Sequence, residues 1–140
     1  MNNTPQSLEP VIGAAVFRAW RGYQRSIFFE LGEEIGHGRG KFTIGVECCP
    51  WRIYIDGTQI ITDKNSYQFM DEMIVRFVGH TCIGISLDLE RKRTTISFSD
   101  NFVIQTSHKE DLDEWYLLTP KHEIMIQKNC EILIEPAEVR

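Results

Sequence analysis

Apolar side chains in this chain recur at every second residue, and that rhythm leaves few ways to fold it. Phe42, Ile44, Val46 and Cys48 alternate with Thr43, Gly45, Glu47 and Cys49, and Trp51, Ile53 and Ile55 resume the beat after Pro50. Ile83, Ile85, Leu87 and Leu89 repeat it, as do Thr94, Ile96 and Phe98. Successive side chains of a strand point to opposite faces, so period two gives each strand one dry face and one wet face. The pattern predicts a mainly β (α+β) chain, an antiparallel sandwich or open barrel of about 8–10 short strands.

Turn residues punctuate the rhythm. Arg21-Gly22-Tyr23-Gln24 separates residues 15–20 from 25–31 and predicts a hairpin, with Phe17 and Ala19 on one inward face and Ile27, Phe29 and Leu31 on the other. A helix across 11–29 competes, but Gly13, Gly22 and the aromatic and β-branched content oppose it. Gly32, Gly36, Gly38 and Gly40 predict a flexible connection. Asp56-Gly57, 90–93 and Asp100-Asn101 read as tight turns. One helix is expected near 66–78, with an apolar stripe of Met70, Met73, Ile74, Phe77 and Val78. Asn65 would cap it with Gln68 as partner, Glu72 and Arg76 are spaced to pair, and Gly79 would end it. Residues 1–9 are polar and read as a flexible N-terminus, followed by a single β-rich domain over 10–136. A chain of 140 residues suffices for one core without disulfides or metals.

Fifteen Lys and Arg stand against twenty Asp and Glu, a formal charge of −5. That balance disfavours nucleic acid as a partner and suits a basic protein. The N-terminal segment lacks the cationic start of a secretory signal, and no apolar run reaches the roughly 20 residues of a membrane span, so the expected compartment is the cytoplasm. Cys48, Cys49, Cys82 and Cys130 contain no C-x-x-C pair and read as thiols, with Cys49 facing out if Cys48 faces the core.

The familiar chemistries find little support. The glycines at 36–40 precede a strand and lack the Lys and helix start of a phosphate cradle. His37, His80, His108 and His122 are scattered without metal-ligand spacing and read as surface histidines; His80 and Cys82 form one weak pair. Cys49 has Arg52 nearby but no local His to activate it. No cofactor is implied. Glu110, Asp111, Asp113 and Glu114 form a dense acidic loop that reads as solvated or as a docking surface. Trp51 and Trp115 are expected as core anchors or as the lining of a pocket, whereas Tyr23, Tyr54 and Tyr116 fall out of phase with the core. Exposed aromatics beside carboxylates suit protein recognition, so the candidate partner-binding residues are Tyr23, Tyr54, Glu110, Asp111, Asp113, Glu114 and Tyr116.

The element Cys49-Pro50-Trp51-Arg52-Ile53 follows an alternating strand, Leu31-Gly32 ends the first hairpin, and Glu114-Trp115-Tyr116-Leu117 comes late. This combination resembles a group of small bacterial domains over residues 8–130, with Tyr116 standing where that group tends to carry Arg. In size and style the group is similar to immunity proteins of bacterial toxin–immunity systems. The resemblance implies a protein that binds a basic toxin domain, such as a nuclease, and covers its active site. A small-molecule or peptide-binding β domain with a pocket lined by Trp51 and Trp115 is a second expectation. An enzyme with a Cys/His site assembled by the fold is a third.

Overall fold

The computed structural model describes residues 4–137. It contains β1 (Val16–Arg21), β2 (Ile27–Gly36), β3 (Arg39–Val46), β4 (Trp51–Ile55), β5 (Thr58–Thr62), α1 (Tyr67–Ile74), β6 (Cys82–Asp88), β7 (Arg93–Phe98), β8 (Phe102–Ser107), β9 (Trp115–Leu118), β10 (His122–Ile126) and β11 (Ile132–Pro136). The strands form two antiparallel sheets, one ordered β1-β2-β3-β9-β10-β11 and the other β5-β4-β8-β7-β6. The mainly β expectation is met as a sandwich with one short helix; the sheets do not close into a barrel.

The inward phase of the strands makes the core. Ile27, Phe29 and Leu31 on β2, Phe42, Ile44 and Val46 on β3, and Trp115 and Leu117 on β9 face Trp51 and Ile53 on β4 and Ile96 and Phe98 on β7. Phe77 closes one end, edge-on to Phe29, Phe98 and Phe102 with ring centroids 5.1–5.2 Å apart. Full burial of each such ring contributes roughly 1.5–3 kcal/mol.

Several local expectations change. Residues 4–9 are packed instead of free: 6–11 form a 3₁₀ turn that buries Leu8 and Val11 completely, and the Thr4 hydroxyl accepts from the Ile85 amide. One leucine in a polar stretch anchors the segment; residues 1–3 lie outside the described range. Gly32–Gly40 is not a flexible connection. It is the continuation of the β2–β3 hairpin to a turn at 37–38, with irregular register between Leu31 and Gly36 that the glycines accommodate. Ser66, not Asn65, caps α1 by accepting from the Phe69 amide, because the Asn65 side chain is taken by the Thr62 amide. Gln68 accordingly donates to Glu72, and Arg76 lies near the Phe102 ring. A register shift in β1 makes Val16 and Ala19 the buried pair in place of Phe17 and Ala19. Another in β6 leaves Ile83 exposed between buried Cys82 and Ile85.

Candidate binding face

Register partners in antiparallel strands share a face, so the outer surface of the six-stranded sheet can be followed strand by strand. One row runs Trp20, Phe28, Gly45, Tyr116, Met125, Leu133, each residue directly opposite the next. Except at Gly45 every member is aromatic or apolar, and none of those five is buried. The Trp20 and Phe28 rings stack with centroids 5.2 Å apart, and the Arg18 guanidinium lies 4.1 Å over Trp20. Gly45 is required by the row itself: a Cβ there would collide with the Tyr116 ring, which lies across the bare backbone.

Carboxylates flank the row on both sides. On one side stand Glu30, Glu123 and Glu135, joined through Thr43 and Leu118 in the next row of the register. Glu30 is buried by accepting from the Gly40 amide at 2.9 Å and the Thr43 hydroxyl at 2.6 Å. On the other side are Glu47, Glu114 and Glu131, just beyond the strand ends. Partial burial and the Glu47 carboxylate, which accepts its hydrogen bond, push the Tyr116 phenol well above its ordinary range. Tyr116 is therefore a neutral donor.

This face collects part of the expected site. Tyr116 lies at its centre and Glu114 at its rim. Tyr23, 81% exposed, sits in the β1–β2 turn and shares a shallow hollow with Glu47, Cys48 and Asp63. Tyr54 is on β4, opposite Val103 of β8, and belongs to the other sheet. Glu110 and Asp111 lie at the tip of the β8–β9 loop, where Lys128 pairs with Asp111 at 2.6 Å and holds its carboxyl below the usual range.

Asp113 is not a surface carboxylate. It is buried and accepts from the amides of Lys109 and Glu110 at 3.1 and 2.9 Å, folding the loop on itself. His108, read as a surface histidine, is fully buried. Its Nδ1 lies 3.2 Å from the Asp113 carbonyl and must donate to it. Its Nε2 then accepts from the hydroxyls of Thr106 and Thr94 at 2.8 and 3.0 Å. Thr94 in turn accepts from the Trp115 indole at 3.1 Å. Burial lowers the His108 pKa, with the Asp113 interactions opposing that shift.

The cysteine pair is reversed from expectation. Cys48 is exposed and Cys49 buried, since β3 ends at Val46 and the bend at 48–49 breaks the alternation. Burial pushes the Cys49 thiol far up, and the nearby Asp113 carboxylate adds to the shift. Cys49 is thus a protonated thiol at neutral pH and lacks the thiolate that nucleophilic attack needs. Trp51 and Trp115 are core residues, each with its indole N–H satisfied, by the Arg25 carbonyl and by Thr94. Among the described residues no helix is long and apolar enough to cross a membrane.

The aromatic row was invisible in the sequence because its members come from six strands. The sequence points to Tyr116 alone among them and gives no local reason to choose Trp20, Phe28, Met125 or Leu133. Their shared signal was that each occupies the outward phase of a strand whose inward phase is already apolar. The chain matches no family model, no curated protein and no solved structure.

Proposed function

We propose that this chain is a non-enzymatic protein-binding domain of the immunity type, which neutralises a basic toxin domain by covering its active site. The observation that supports this reading most is the aromatic row across the outer face of the six-stranded sheet, bordered by carboxylates. Aromatic side chains supply most of the energy at the centre of protein interfaces, and charged rims set partner choice and encounter rate. A nuclease is a suitable target, because an enzyme acting on a polyanion carries a cationic cleft. Trp20, Phe28 and Tyr116 would be the anchors, and Glu47, Glu114, Glu123 and Glu131 would meet the basic rim. Inhibition would be steric, with no chemistry asked of this chain.

The test is co-expression with the product of the neighbouring gene, followed by measurement of the complex by titration calorimetry. A stoichiometric complex is expected, weakening as salt rises. Trp20→Ala and Tyr116→Ala should each weaken it by about 2 kcal/mol, roughly 30-fold. A complex indifferent to both substitutions, or the absence of any complex, would remove the reading.

A further inference from the structure

The outer face of the five-stranded sheet is built for different chemistry. In register across it run Arg52, Gln105, Thr95 and Ser86, and beside them Ser107, Arg93 and Asp88. Arg52 on β4 and Arg93 on β7 therefore stand on either side of β8, with Gln105 and Ser107 on the strand between them. Lys109 extends the β8 line past Ser107, and Arg91 projects from the β6–β7 turn. These six side chains line one hollow of about 250 Å³.

Four cations thus meet in one place on a chain whose formal charge is −5. Arg91 is partnered, by Asp88 at 3.1 Å. Arg52, Arg93 and Lys109 have no ion-pair partner among the described residues. Like charges gathered on one sheet face repel, and a bound anion would reverse the sign of that interaction. Two guanidinium forks and an ammonium offer more donors than a single carboxylate accepts, and they match the oxygens of a phosphate group. Gln105 and Ser107 add neutral hydrogen-bonding groups at the floor.

Size narrows the ligand. A hollow of about 250 Å³ falls below the roughly 300–1,000 Å³ of pockets that enclose drug-sized molecules, so it suits a group of a few heavy atoms. The adjoining hollow shares Arg91, Arg93 and Lys109 and adds Lys92, but Glu90 also lines it and Glu110 follows Lys109, so carboxylates interrupt the cations at that edge. A nucleic-acid backbone needs a track. We propose that the hollow between Arg52, Arg93 and Lys109 binds the phosphate or pyrophosphate group of a small soluble molecule. This site is separate from the aromatic row and does not depend on the function assigned to that face.

The experiment is a titration of the isotope-labelled full chain with inorganic pyrophosphate, followed by NMR at constant ionic strength, with chloride and sulfate as comparison anions. Saturable shifts are expected at residues 52, 93, 105, 107 and 109, with a dissociation constant at or below about 1 mM. Arg52→Gln and Arg93→Gln should each weaken binding by roughly 10- to 100-fold, as expected for a lost charge-assisted hydrogen bond. Lys121→Gln, a charge change away from the hollow, should leave it within about twofold. Arg93→Lys keeps the charge and should recover part of the affinity, which separates recognition from a folding defect. Linear, non-saturating shifts shared by all three anions would overturn the proposal. So would saturable binding that Arg52→Gln and Arg93→Gln leave unchanged.

Discussion

The two outer faces of the sandwich share one inner layer and differ in almost everything else. Across the six-stranded sheet the outward positions read Trp20, Phe28, Gly45, Tyr116, Met125 and Leu133. Across the five-stranded sheet a comparable row reads Tyr54, Val103, Ser97 and Gly84, beside rows of Arg, Gln, Thr and Ser. Inward, both sheets alternate in the same way, because any sandwich must bury one face of each strand. Outward, water accepts hydroxyls and cations without cost, whereas a row of half-buried and exposed apolar side chains gains by being covered, which is the ground for the binding proposed above. On this fold, then, the two sheets are alike on their inward faces, and it is the outward phase that sets them apart.

The contrast between the faces can be measured. The largest effect belongs to the shared layer. Trp115→Ala removes a fully buried ring and the indole bond to Thr94, and it should cost about 3–5 kcal/mol in urea unfolding. A loss under about 1 kcal/mol would mean that the two sheets are not held by a common core.

Next comes a matched pair of small outward substitutions. Gly45→Ala drives a methyl group into the Tyr116 ring and should cost about 1–3 kcal/mol, or displace the ring and weaken the binding proposed for this face. Ser97→Ala on the other face meets no such ring and should change stability by less than about 0.5 kcal/mol. Equal costs at the two positions would show that the aromatic row is no more tightly built than its polar counterpart.

A pH profile tests the link between the faces, since His108 ties Thr94 and Thr106 of the second sheet to the loop that feeds β9 of the first. Its pKa is lower in the folded chain than the ordinary value of about 6.5, because burial disfavours the charged ring. Below that value the unfolded chain binds the extra proton first. The contribution of His108 is therefore complete above about pH 6.5 and is lost as pH falls toward its folded-state pKa. Unfolding midpoints between pH 7.5 and 5.5 should fall more steeply for the native chain than for His108→Gln. Parallel slopes would show that the buried imidazole does not couple stability to pH.

The smallest effect is expected at the margin of the row. Leu133, on edge strand β11, is 40% exposed, so Leu133→Ser should alter stability by no more than about 0.5 kcal/mol. A larger loss would mean that the row supports the fold instead of serving as a contact surface.

How much of this was legible beforehand varies by residue. The hairpin turn at 22–24, the Asp56-Gly57 turn and the inward triplet Thr94, Ile96 and Phe98 were readable, because turn chemistry and two-residue alternation are local. Phe17 and Ile83 leave their expected faces because one irregular residue in β1 and one in β6 shift the phase, and nothing local announces the shift. Cys48 and Cys49 exchange places because β3 ends at Val46 and the chain bends at 48–49 before the alternation reaches them. His108 and Asp113 looked like members of a solvated acidic loop, yet both are buried, since their hydrogen-bond partners lie in β7, β8 and the loop backbone.

The order of amino acids already dictates that the chain forms strands, where most of them turn, and that one short helix interrupts them. Those outcomes follow from the backbone preferences of neighbouring residues and from the period of apolar side chains. Which outward residues stand beside one another is settled by the folded arrangement of the strands. Register between strands far apart in the chain is set by pairing and core packing together. That register is what places Trp20 in line with Tyr116 and Leu133, and Arg52 across β8 from Arg93.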